Sequence, residues 1–126
     1  MCAHARECAP SECCGLLGGG GNRAANVYPL RNVAPRPEVA YEAAPEELFE
    51  AQRSIRARRQ TLVGVYHSHP RSADPRPSER DVRLAYYPAA VHLIVGLAGG
   101  LPVVRAFRLY ESERRWEGVE YEVASE

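Results

Sequence analysis

Thr61-Leu62-Val63-Gly64-Val65-Tyr66-His67-Ser68-His69-Pro70 is the stretch from which the architecture can be read. Its first part, Thr61 to Tyr66, is almost wholly apolar, which is how a central strand covered on both faces reads. A polar loop, residues 70–77, follows. The next helix is expected from Ser78 to Tyr87, stopped before Pro88. Residues 91–97, Val-His-Leu-Ile-Val-Gly-Leu, form a second buried strand. Gly99-Gly100 turns the chain into an outer strand over 102–110, and the alternation of Val119, Tyr121 and Val123 predicts another over 115–123. Upstream, Pro45, Glu46 and Glu47 open a helix over 45–59, since proline suits a first helical position and acids suit the first turn. Leu48, Gln52 and Ile55, with Phe49 and Ala51, give it one mostly apolar face. Residues 24–33 read as a strand, and Ala34 to Pro37 as a proline-marked loop. Gly15 to Gly18 reads as a strand entering a glycine-rich turn, Gly18 to Gly21, and residues 3–9 as the end of a short helix. The sum is an α/β (α+β) domain with about six strands in one main sheet and two or three helices.

Length and composition bound the function. At 126 residues the chain holds one domain. Sixteen basic and sixteen acidic residues cancel, which disfavours a strongly basic nucleic-acid module. No apolar run is long enough for a membrane span, and the N-terminus lacks the apolar core of a signal peptide. All the basic residues are arginine, so no Schiff-base, phosphate-loop or general-base lysine is available. The four cysteines, Cys2, Cys8, Cys13 and Cys14, cluster at one end without a Cys-x-x-Cys pair. They read as free thiols in a reducing cytoplasm, neither a disulfide scaffold nor a zinc knuckle.

Strand alternation sends His67 and His69 to the same side at the end of the buried strand. Two converging imidazoles would repel each other if both were protonated, and a divalent metal resolves that. Asp81, one turn into the next helix, can add a carboxylate. Two histidines and one carboxylate leave a fourth tetrahedral position open, the ligand count of a catalytic zinc site. Plainer readings stand beside this one. His-x-His often only satisfies local hydrogen bonds, and Ser78-x-x-Asp81 is also a capping box. Glu12, just before the apolar strand in Pro10-Ser11-Glu12-Cys13-Cys14-Gly15-Leu16-Leu17-Gly18, is placed either as a helix-terminal charge or as a base of raised pKa. Asp74 reads as a solvated loop acid, Arg105 and Arg108 as strand exterior, and His4 and His92 have no partner at ligand spacing.

Taken together, Glu12 with Cys14-Gly15-Leu16-Leu17-Gly18, His67-Ser68-His69-Pro70 and Ser78-x-x-Asp81 resembles the JAMM (MPN+) metalloprotease family in its short prokaryotic form. The resemblance implies a single MPN domain over residues 1–126, a cytidine-deaminase-like mixed sheet flanked by helices. It implies one Zn²⁺ per chain on His67, His69 and Asp81, with Glu12 as general base and then acid, and Ser78 stabilising the oxyanion. It implies a peptidase or isopeptidase that hydrolyses the amide bond after the C-terminal Gly-Gly tail of a ubiquitin-like or sulfur-carrier protein. The alternatives are a metal-free MPN scaffold for protein interaction and a zinc hydrolase of a small-molecule amide. Cys-x-x-Cys ligands of the deaminase kind are absent. The chain departs from the family pattern twice. Residues 70–77 are one more than usually separate the second histidine from the serine, an excess that costs little if the loop bulges outward, so the ligands are still expected to meet. The leading strand that usually precedes the first helix is expected to be missing or truncated here. No extra His and Cys cluster follows residue 98, so the second zinc site of the larger deubiquitinases is not expected.

Overall fold

The computed structural model describes residues 1–85, 87 and 89–123. Three helices and six strands follow in the order α1 (Cys2–Cys8), β1 (Cys14–Gly20), β2 (Arg23–Leu30), α2 (Pro45–Ala57), β3 (Thr61–His69), α3 (Glu79–Arg83), β4 (Val91–Gly96), β5 (Val103–Tyr110) and β6 (Arg115–Val119). The strands form one sheet in the order β2-β1-β3-β4-β5-β6. Among the described residues only β3 and β4 run parallel, and the connection between them must return along one face of the sheet.

The central strands are apolar on both faces because both are covered. Leu17, Tyr66, Leu93 and Val95 pack with Ala5 of α1 and with Cys13 on one face. Leu16, Leu30 and Val65 pack with Ala51 and Ile55 of α2 on the other. Val82 of α3 packs beside them on Ile94, Phe107 and Leu109. Burial of a side chain the size of Ile55 contributes about 1.5–3 kcal/mol. Phe49, expected on the same apolar face, instead points to solvent, 61 % exposed. It lies about 100° around the helix from Leu48, off the stripe through Ala51 and Ile55. The helix ends at Ala57 instead of 59, because Arg59 turns left-handed at φ 57°.

Other boundaries also differ from the sequence reading. β1 runs on to Gly20, past the expected start of the turn, since ladders to β2 and β3 hold it through a bulge; the turn comes at Gly21, φ 60°. β2 ends at Leu30, and Asn32 leaves the ladder for a loop. β6 ends at Val119, opposite Ala106, and beyond it the Tyr121 hydroxyl donates to the Val104 carbonyl in place of ladder bonds. The helix expected over 78–87 is five residues long. Its capping N–H at Leu84 already turns back to Arg80 and Val82, and Tyr87, restricted by the proline after it, is not helical. Tyr86 and Pro88 of that expectation lie outside the described residues, as do residues 124–126 at the end of the expected single domain.

Candidate active site

The β1–β3 register builds the site. Cys14 lies opposite His67, so carrying the ladder two residues further brings Glu12 across from His69. Ser68, fully buried between the histidines, locks that extension: its N–H donates to the Cys13 carbonyl at 3.2 Å, and its Oγ accepts from the Cys13 N–H at 2.8 Å. Alternation then sends His67 and His69 to one face, as their spacing predicts.

There the two Nε2 atoms lie 3.1 Å apart, and Asp81 Oδ2 lies 3.2 Å from each. A carboxylate oxygen of Glu12 lies within 4.8 Å of both imidazoles. Two imidazole nitrogens and a carboxylate oxygen thus converge on one point. A tetrahedral zinc ion with bonds of ~2.0–2.1 Å sets its ligand atoms roughly 3.3 Å apart, so the donor set fits that ion in kind and in spacing.

Asp81 is held in place by the helix it opens. Ser78 caps α3, with its Oγ accepting from the Asp81 N–H at 3.0 Å, while Asp81 Oδ2 accepts from the Ser78 N–H at 2.8 Å. The capping box and the carboxylate's place among the histidines are therefore one arrangement, not rival readings. The longer connection still brings Asp81 to the histidines, as expected, but by packing back on the sheet and not by bulging outward. Pro75 is buried, the Ser72 N–H donates to the His69 carbonyl at 3.0 Å, and the Ala98 N–H donates to the Ser72 carbonyl at 3.1 Å. The loop folds back over Gly96, where no side chain obstructs it.

The electrostatics follow from burial and this geometry. Burial pushes the Glu12 carboxyl up to about 7; the His69 charge opposes the rise and the Asp81 charge adds to it. Burial alone would raise Asp81 too, but hydrogen bonds and charge from His67 and His69 and the Ser78 N–H hold it far below the usual carboxylate range. His69 rises, since Asp81 outweighs the effect of its burial. Burial pushes the Cys13 thiol to about 11 and Cys14 to about 12, which argues against either as a nucleophile.

Elsewhere, Asp74 pairs with Arg76 and Arg105 at the surface. His4 Nδ1 lies 2.8 Å from the Tyr66 hydroxyl on the opposite face of the sheet. His92 is buried and borders, with Asp81 and Tyr41, a cavity of about 230 Å³. Sequence reasoning missed Tyr41, whose ring stacks on His67 at 4.6 Å and 27°, and Asn32, whose amide ties the loop carrying Tyr41 to the Glu12 carbonyl. The prolines marked that loop but gave no sign of where it packs.

Known proteins resemble this chain in sequence and in fold. A desampylase of Haloferax volcanii is 43% identical over 98 residues, 73% of this chain and 70% of that protein. A probable TtuB-protein conjugate cleaving protease of Thermus thermophilus is 37% identical over 111 residues, 88% of this chain and 70% of that protein. The solution structure of a Desulfitobacterium hafniense protein superposes with a TM-score of 0.84 at 34% identity, covering 98% of this chain and 86% of the other. Residues 1–110 match the family described as prokaryotic homologs of the JAB domain. With that match over nearly the whole length, the chain belongs to this family, the short prokaryotic form of the JAMM/MPN proteins.

Proposed function

We propose that this chain is a zinc-dependent peptidase or isopeptidase that hydrolyses the amide bond after the C-terminal Gly-Gly tail of a ubiquitin-like or sulfur-carrier protein. The observation that carries the reading is the triangle of His67, His69 and Asp81 atoms at 3.1–3.2 Å with the Glu12 carboxylate beside it. The names of the Haloferax and Thermus relatives supply the substrate class. Zinc held by His67, His69 and Asp81 would supply Lewis acidity, polarising the scissile carbonyl and acidifying the attacking water towards a pKa of ~7.

The chain's own groups do the rest. Glu12, poised near neutrality by burial, accepts a proton from the attacking water and returns it to the leaving amine. The Ser78 oxygen accepts from the Asp81 N–H, which leaves its own proton to donate to the developing oxyanion. One such donor is worth about 2.7–4 kcal/mol. Glycines in the tail admit close passage beside the cluster because they lack Cβ. Among the described residues the edge strands of the sheet are β2 and β6, which an extended tail can pair with. Four free thiols suit a reducing cytoplasm.

The test uses a carrier protein fused through Gly-Gly to a reporter. Cleavage is expected to stop with a chelator and return with Zn²⁺, with close to one zinc per chain. His67→Ala and His69→Ala are expected to lose both metal and cleavage. Undiminished cleavage by metal-free protein would overturn the reading.

A further inference from the structure

His67 is wholly buried, and its Nδ1, the nitrogen turned away from the cluster, has no hydrogen-bond partner among the described residues. Metal-binding imidazoles ordinarily have that far nitrogen fixed by a carbonyl or carboxylate. Here the ring is held by its face instead: Tyr41 stacks on it, centroids 4.6 Å apart and planes 27° apart. Tyr41 stands in the segment between β2 and α2, which has no regular structure beyond one isolated bridge, Asn32 to Ala43. A clamp on such a segment works only if something holds the segment itself.

Asn32 does so. Its Nδ2 donates to the Ala40 carbonyl and to the Glu12 carbonyl, each at 3.0 Å, with the Pro37 carbonyl a longer contact at 3.5 Å beside its four close partners. Its Oδ1 accepts from the Ala34 and Glu42 N–H groups, each at 3.0 Å. Two donors and two acceptors exhaust what the amide can offer. Two of the four partners, Ala40 and Glu42, flank Tyr41, and a third belongs to Glu12. The same segment is tied again to Glu12, whose N–H donates to the Pro37 carbonyl at 2.7 Å.

We propose that Asn32 is a positioning residue of the reaction centre: its one side-chain amide sets the Glu12 carboxylate and, through Tyr41, the His67 ring in a common register. The inference rests on His67 being a zinc ligand, as proposed above.

Zinc dissociation constants, measured by chelator competition on the full chain, test the Tyr41 arm. Tyr41→Phe keeps the stacking ring and is expected to bind zinc as the parent does. Tyr41→Ala is expected to weaken binding by about tenfold or more. Asn32→Ala is expected to weaken it to a similar degree, and the double variant no further than the larger single effect, because the two act along one path. Kinetics test the Glu12 arm. Asn32→Asp keeps the acceptor bonds to Ala34 and Glu42 and loses the donor bonds to Glu12 and Ala40. In zinc-saturated protein it is expected to lower kcat by about 10–100-fold with KM within about twofold. Asn32→Asp also carries the zinc measurement if Asn32→Ala does not fold. Parental zinc affinity and kcat in folded Asn32 variants, or single effects that multiply in the double variant, would overturn the inference. A parent chain that binds no zinc would instead overturn the reading of the metal centre.

Discussion

Glu12 is a carboxyl walled in by the end of β1 and the loop beyond β2, and burial lifts it to about 7. A dication on the adjacent histidines favours the carboxylate, so its titration should report the metal. In zinc-free protein an isotope-edited infrared or carbon NMR titration is expected to place this carboxyl near 7, and zinc to move it down. An unmoved midpoint in zinc-loaded protein would mean that Glu12 does not face the cation. The same shift has a signed effect on stability. A folded-state value above the unfolded one contributes stability that is complete below about 4.5 and lost as pH rises through about 7. Zinc-free Glu12→Gln is therefore expected to flatten the pH dependence of the urea midpoint across that window. With zinc it is expected to keep the metal and lose about 10²–10⁴ in kcat. The residues that bear this chemistry were legible because strand and helix periodicity fix which way His67, His69 and Asp81 face. Asn32 and Tyr41 were not. Their partners lie in an irregular segment, where no period links sequence to direction.

The connection from β3 to α3 is the element on which the proposed metal centre depends, because it sets where Asp81 falls relative to the histidines. Its packing over Gly96 explains why an extra residue does no harm: the added length is folded against the sheet, with Pro75 buried. A Cβ at Gly96 would lie 2.5 Å from the Ser72 carbonyl oxygen and 2.9 Å from Pro75 Cδ, and neither is the end of a flexible side chain. Gly96→Ala is therefore expected to destabilise by about 1–3 kcal/mol and to weaken zinc binding as Asp81 is pushed aside. Gly99→Ala is the matched control. Its Cβ would meet only the Ala73 Cβ, at 3.7 Å, and its stability is expected to stay within about 0.5 kcal/mol of the parent. Urea unfolding and zinc titration of the pair decide the matter; equal behaviour would show that the loop does not need that close approach. The sequence placed the strand and the helix at either end of this connection, through an apolar run and a cap. The course of the loop was hidden, since it depends on a glycine in β4, a strand that becomes its neighbour only after the sheet has formed.

The six-stranded sheet has a single parallel pair, and its crossover runs past the end of β3 where the histidines stand. Strands and their faces could be read from local pattern, but the order β2-β1-β3-β4-β5-β6 could not. It is fixed by pairings between distant segments, and the resemblance to a known family implied a mixed sheet without its order. The consequence is that residues 12, 67, 69 and 81 reach one point from three separate parts of the chain. Unfolding scatters these donors, so a cation on the histidines and Asp81 binds the native chain far better than the unfolded one, and its binding energy becomes folding energy. At a free zinc concentration of about 100 times Kd the gain is about 2.7 kcal/mol. For a domain of this size that raises Tm by roughly 10 °C. His69→Ala is expected to lose the zinc-dependent rise while its chelated form melts close to the chelated parent, since His69 lies at the edge of the core with its side chain 18 % exposed. Calorimetry of parent and variant, each with chelator and with zinc, checks this. An equal rise in both would place the ion elsewhere on the protein.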